Sequence, residues 1–261
     1  MPLEEMTLTS SLNENISTMK KLFEDCDFLQ FREVKNIYDK DMRFTIVYCD
    51  GVINANVVDQ NIVRPLMNAK IVEPCDSAMD FIVDHIVYIN EIETTRRFKN
   101  IVEAVTYGDT ILFTEGCEAA LLLNTIGFAT RTISEPENEK SISGPHEGFT
   151  ESIVQNLSQV MRRLRTCELK TKYMTLGKVT RTKIAVCYLD GIVNKKILNE
   201  LYRRLVSIDI DGVLDSNYIT ELIRDNPYSP FRTTGYTERP DSIAAKMLER
   251  VIEFSATALS W

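Results

Sequence analysis

The chain has 261 residues, 44% of them hydrophobic, with 30 Lys and Arg against 38 Asp and Glu and a net charge of -8. That length supports one large domain or two compact lobes with separate cores, and two lobes is the expected organisation. The acidic balance repels phosphate backbones and anionic membrane surfaces, which argues against nucleic acid as a main partner.

No basic-then-apolar leader and no apolar run of about eighteen residues stands in the sequence, so a secreted or self-inserted chain is not expected. The six cysteines, Cys26, Cys49, Cys75, Cys117, Cys167 and Cys187, are scattered without a C-x-x-C pair and read as reduced core thiols in a cytosol.

Residues 1–28 read as an N-terminal helical segment, because Leu12, Asn15, Ile16, Met19, Phe23 and Cys26 recur at spacings of three and four. A polar-alternating stretch from Leu29 to Lys35, a turn, and a β-type run from Phe44 to Cys49 predict a strand pair. The run ends in "IVYCDGVIN", and Asn54 then stands where a helix N-cap belongs, ahead of Val57, Val58 and Ile62. A second helix near Ser77 to Asp84, a short strand, and a third helix near Thr95 to Thr106 follow. "GDTILFTEGCEAALLLNT", Gly108 to Thr125, reads as two strands around a Glu-Gly turn. Residues 29–134 form the first lobe.

Residues 135–168 are expected to be a linker and a connecting helix, since Ser134 to Gly148 is rich in Pro, Gly and charge. Thr150 can cap that helix, with Glu151 in its first turn and Arg162, Arg163 and Arg165 in its last, matching the helix dipole at both ends.

The first pattern then returns. An offset of 141 pairs Leu12, Asn15, Met19 and Cys26 with Ile153, Asn156, Val160 and Cys167. An offset of 140 (190 minus 50) pairs Asp50 with Asp190, and likewise Tyr48 with Tyr188, Gly51 with Gly191 and Asn54 with Asn194, without a gap from Leu29/Leu169 to Arg64/Arg204. The second lobe, 169–249, should therefore repeat the strand pair, the Asn-capped helix, a helix near Ser216 to Asp225, and a helix from Arg239 to Leu248 with Pro240 in its first turn. It has no counterpart of the Gly108–Thr125 hairpin, so it reads as truncated, and 250–261 as a tail. The fold class expected is α/β: two similar lobes from an internal duplication, each a small mixed sheet flanked by helices.

Chemical motifs are weak. In Tyr-x-Asp-Gly, the Gly supplies a tight turn and the Asp satisfies local amides, with no base or metal-ligand cluster beside either copy. "DIDGVLD", Asp209 to Asp215, imitates a phosphatase nucleophile loop, but its counterparts Ala69, Ile71 and Val72 carry neither carboxylate nor glycine. His85 and His146 are too few for a His-rich metal site. G-x-G-x-x-G, G-x-x-x-x-G-K-[ST], G-x-S-x-G and H-E-x-x-H do not occur. No enzyme, cofactor or metal is expected.

"GPHEGFTESIVQNLSQVMRRLR", "TKIAVCYLDGIVN" and "TERPDSIAAKMLE", with "MRFTIVYCDGVIN" and "GDTILFTEG", resemble the amino-terminal region of the A subunit of bacterial spore germinant receptors, the GerA family. The resemblance covers roughly residues 9 to 248. It implies a cytoplasmic region that precedes a multi-helix membrane domain of the inner spore membrane, in a receptor assembled with B and C subunits that senses nutrients and triggers germination. Where the family continues after Met-Leu-Glu with a Gly-Arg-Val-Ala-type strand, "RVIEFSATALSW" follows Glu249 here.

The leading expectation is a non-enzymatic domain for signal relay and assembly. The rival is a module holding a small molecule or ion between the lobes. Candidate interlobe or interaction residues are Asp50, Gly51, Asp190, Gly191, Glu147, Phe149, Glu151, Arg162, Arg163, Glu238, Arg239 and Asp241.

Overall fold

The computed structural model describes residues 2–39, 42–70, 79–127, 147–214, 216–224, 235–249 and 252–256. These form two compact units. One takes the chain up to Glu24, resumes at Phe28 for the rest of the first half, and includes Arg165–Cys167. The other takes Asp25–Asp27, the stretch ending at Leu164, and everything from Glu168 onward.

In the first unit, helix α1 (Leu12–Leu22) starts where the Ser11 side chain accepts the Glu14 amide. Strands β1 (Leu29–Lys35) and β2 (Arg43–Cys49) pair as an antiparallel hairpin. Asn54 accepts the Val57 amide and so caps α2 (Ala55–Val58), as its position in the sequence indicated. That helix runs through a π-helical turn (Asp59–Val63) into α3 (Arg64–Asn68). Another π-helical turn (Ile82–Ile86), β3 (Ile92–Thr95), α4 (Phe98–Tyr107), β4 (Thr110–Thr114) and β5 (Ala120–Leu123) complete the unit. Helix α4 begins later than the sequence suggested. Thr95 still belongs to β3, and its hydroxyl accepts from the Arg97 amide at 3.2 Å and the Asn100 side chain at 3.1 Å.

The strand order is β1-β2-β4-β5-β3. The expected mixed sheet is corrected here, since every ladder is antiparallel. Strands β3 and β4 do run the same way around α4, but β5 lies between them and is antiparallel to both, so no parallel ladder forms. Alternation in the central strands buries both faces. Phe44, Ile46, Leu112 and Leu121 pack with Val58, Ile62, Leu66 and Ile82 on one side. The intervening Val47, Ile111 and Phe113 are equally buried and face the side where α1 and α4 pack.

The second unit repeats much of this geometry. Helix α5 (Ile153–Met161) precedes β6 (Leu169–Leu176) and β7 (Thr182–Leu189). The offset of 140 persists in the register: Leu29 faces Cys49, and Leu169 faces Leu189. Asp50 N donates to Phe28 O at 2.9 Å, and Asp190 N to Glu168 O at 2.8 Å. Asn194 accepts the Lys196 amide and caps α6 (Lys195–Ser207). Then come α7 (Ser216–Leu222), α8 (Pro240–Leu248), with Pro240 in its first turn as expected, and β8 (Glu253–Ala256).

The sheet order is β6-β7-β8, again antiparallel. Strand β8 takes on β7 the place that β4 takes on β2, with Val186 facing Phe254 where Ile46 faces Leu112. One face packs Ile184, Val186 and Tyr188 against Leu198, Leu205, Val213 and Ile219. Helices α5 and α8 pack together, and α8 reaches β7.

The Asp25–Asp27 piece completes this unit's outer edge. Asp27 N donates to Thr171 O and Thr171 N to Asp25 O, each at 2.9 Å, which makes a short parallel bridge at Cys26.

Two further expectations change. The cap of α5 is Ser152, whose side chain accepts the Gln155 amide, and not Thr150. Thr150 instead gives both its backbone groups to the buried Asn156 side chain, at 2.7 Å each. Cys26, Cys49, Cys167 and Cys187 form no disulfide, but Cys117 is disulfide-bonded, so the reading of six reduced thiols fails there. Spacing along the chain detects only local cysteine pairs, and Cys117 stands in none. The linker up to residue 146, with His146, and residues 77 and 78 of the expected second helix lie outside the described residues.

Candidate functional site

Asp50–Gly51 belongs to the first unit and Asp190–Gly191 to the second, each closing the central strand of its hairpin. Gly51 and Gly191 have φ of 78° and 80°, in the left-handed region that disfavours any side chain. A Cβ at Gly191 would meet nothing within 4 Å, so the backbone angle and not crowding selects glycine. Lys195 donates to Asp190 at 3.1 Å and holds its carboxyl below the usual range, with the Gly191 amide adding to the effect against partial burial. The shared motif is turn chemistry.

The phosphatase-like loop has a structural part as well. Lys178 pairs with Asp209, and the Asp211 carbonyl accepts the amides of Val179 at 2.8 Å and Thr180 at 3.3 Å. The loop thereby fastens the turn between β6 and β7. Asp215 lies outside the described residues. His85 stacks at a tilt on Phe81, with ring centroids 4.9 Å apart.

Seven of the remaining candidates come together in the second unit. Two sequence segments 75 or more residues apart meet when α5 packs on α8. Glu147 binds Arg163 at 2.7 Å and Arg162 at 3.5 Å, with the side chains of Glu147 and Arg163 only 19% and 21% exposed. Arg163 also donates to the Gln159 carbonyl at 2.8 Å, and the Gln159 side chain donates to Gly148 O at 3.2 Å. Phe149 N donates to Glu238 O at 2.8 Å, which links the two segments directly. Arg239 grips Asp241 through two nitrogens, at 3.2 and 2.7 Å, and this holds the Asp241 carboxyl below its ordinary range. Glu151 is exposed at the approach to α5.

One feature of the first unit was not foreseen. Asn100, Glu103 and Tyr107 lie along one stripe of α4, and with Glu91, Glu93, Asp109, Asn124 and Arg165 they line a groove of about 670 Å³. Burial, then Glu93 and Glu91, push the Asp109 carboxyl up to about 6. The Arg165 guanidinium sits 4.4 Å from the centroid of the Tyr107 ring. In the sequence, Arg165 reads only as the end of a basic helix turn, because nothing local shows that Arg165–Cys167 joins the first unit.

A family model described as Bacillus/Clostridium GerA spore germination protein matches residues 17–252. The chain is 31% identical to spore germination protein KA of Bacillus subtilis strain 168 over 242 residues, 93% of this chain and 44% of that protein. It is also 31% identical to spore germination protein B1 of the same organism over 244 residues, 94% of this chain and 50% of that protein. Among solved structures it is similar to the N-terminal domain of the A subunit of the Bacillus megaterium spore germinant receptor GerK3. The TM-score is 0.75 and the identity 27%, covering 97% of this chain and 93% of that one. The chain spans about half the length of these curated relatives.

Proposed function

Because the chain belongs to the Bacillus/Clostridium GerA spore germination protein family, we propose that it is a non-enzymatic, cytosolic domain of a membrane germinant receptor A subunit, acting in signal relay and receptor assembly. No helix among the described residues is long and apolar enough to cross a membrane. In this reading, the part of the relatives beyond the matched half supplies the membrane anchor, and subunits of the B and C type are the partners.

The observation that carries the reading is the Glu147–Arg163 and Phe149–Glu238 cluster. Half-buried ion pairs pin the segment entering α5 onto α5, and the Phe149–Glu238 backbone hydrogen bond joins that segment to the approach to α8. A set of Arg side chains held in fixed positions by their carboxylates suits a docking patch better than a mobile loop does. The same rigidity lets a push on one segment reach the other, which is what relay requires.

The test uses the full-length receptor in its membrane. Arg163→Gln and Arg239→Gln should lower the amount of A subunit recovered together with its partner subunits and slow nutrient-triggered germination, while circular dichroism of the isolated domain stays unchanged. Wild-type recovery and wild-type germination in both variants would refute the proposal.

A further inference from the structure

The internal repeat supplies its own comparison. At the offset of 140, the stretch Ala55 to Arg64 answers to Lys195 to Arg204, and α6 runs through those positions as an unbroken α-helix. In the first unit the same stretch is widened by the π-helical turn Asp59–Val63, where Arg64 N donates to Asp59 O, five residues back. Asn61 lies in that turn, while its counterpart Leu201 packs on the core of the second unit. The other π-helical turn, Ile82–Ile86, closes in the same way from Val87 N to Ile82 O. Asn61 clamps the two together: its side chain donates to Tyr88 O at 3.0 Å, and its carbonyl accepts the Tyr88 amide at 3.1 Å. A π turn is a rare insertion, found often where a helix has been reshaped for a site. One copy of the repeat carries it and the other does not, so folding of the repeat does not demand it.

Beside this clamp lies a hollow of about 370 Å³, at the small end of the range in which small molecules bind. Asn61, Asn90 and Asn124 bring three carboxamides to it, Tyr88 a ring that is 70% exposed, and Glu91 a carboxylate that Asn124 already holds at 2.6 Å. No basic side chain is among the described residues lining it, so an anionic ligand finds no counter-charge there. A carboxamide both donates and accepts hydrogen bonds, and a hydroxyl answers in both senses. Several hydroxyls on one compact ring match several carboxamides around a small hollow, and the carbon face of such a ring suits the face of Tyr88.

We propose that this hollow binds a small neutral cyclic polyol, its hydroxyls bonded by Asn61 Oδ1 and the Asn90 carboxamide and its carbon face lying on Tyr88. The site belongs wholly to the first unit, is independent of the assembly role above, and stands or falls separately from it.

Titration of the 261-residue chain with myo-inositol, followed by amide NMR, tests it, with cyclohexanol, one hydroxyl on a ring of the same size, as control. The expected result is saturable one-to-one binding, with shifts concentrated at residues 57, 61, 88–91 and 124 and none at 197–201, where the repeat has no π turn. Tyr88→Ala should bind about tenfold more weakly and the exposed Asn90→Ala a few-fold more weakly, from the loss of the stacking face and of one hydrogen-bonding group. Asn61→Leu, which installs the residue of the second unit, should abolish binding. Should that variant not fold, Tyr88→Ala and Asn90→Ala decide the matter, since both side chains stand at the surface. Shifts without saturation, equal affinity for cyclohexanol, equal shifts at 197–201, or wild-type affinity in both Tyr88→Ala and Asn90→Ala would each overturn the assignment.

Discussion

Replacing Asp109 by Asn should stabilise the first unit at neutral to alkaline pH. Asp109 sits partly buried between α4 and β4, facing Glu93 and Glu91, and its carboxyl is raised from 3.8 to about 6. That rise corresponds to about 3 kcal/mol of differential interaction between the two protonation states. The side chain is only half-buried, so solvent screening reduces this to about 1–1.5 kcal/mol. With the folded value above the unfolded one, the ionised carboxylate costs stability above pH 6, and the cost fades as pH falls from 6 towards 4. Asn carries no charge and escapes the cost. Calorimetric melting should therefore show Asp109→Asn above the parent by roughly 2–6 °C at pH 8, and by about a third of that at pH 4.5. An equal gain at both pH values, or a loss at pH 8, would refute the electrostatic account.

Two further outcomes follow from the packing. Asn156 is 4% exposed and satisfies both backbone groups of Thr150, so Asn156→Leu should cost about 2–4 kcal/mol in a denaturant melt. Asn15, which does the same for Thr9 at 3.0 and 2.7 Å, should show a matching loss, and a neutral result at either position would remove the cap argument. Hydrogen exchange should be faster in Ile184 to Cys187 than in Phe44 to Val47, because β4 is itself held by β5 whereas β8 has no further strand among the described residues. Equal or slower exchange in β7 would count against that asymmetry.

What was legible in the sequence is what local chemistry encodes. Asn54 and Asn194 mark helix starts because their side chains accept amides two or three residues on. Pro240 marks a first turn because it has no amide to lose there. Glu115–Gly116 marks a hairpin because its Gly needs a φ of 79°. The features that stayed hidden depend on partners far along the chain. Ser152 rather than Thr150 caps α5 because Asn156 has already claimed Thr150. Strand β5 separates β3 from β4, a choice that neither α4 nor the strands record individually. Of the candidate residues, the Asp-Gly pairs stayed turns, while Phe149 meets Glu238 only because α5 packs on α8. Asp109 and Arg165 had no motif at all, since each gains its character from a groove built by β3, α4 and a distant stretch of chain.

The short bridge at Asp25–Asp27 bears on how this protein can be cut and grafted. Those three residues precede most of the first unit in sequence, yet their backbone covers the outer edge of β6 in the second. A fragment beginning at residue 147 would leave that edge bare, and a bare edge strand invites pairing with other copies. Exchanging the second unit between relatives therefore means transplanting residues 25–27 along with it. A chimera joined only in the stretch before α5 would place one parent's β6 against the other parent's covering piece, with Lys172 left to find its partner at position 25.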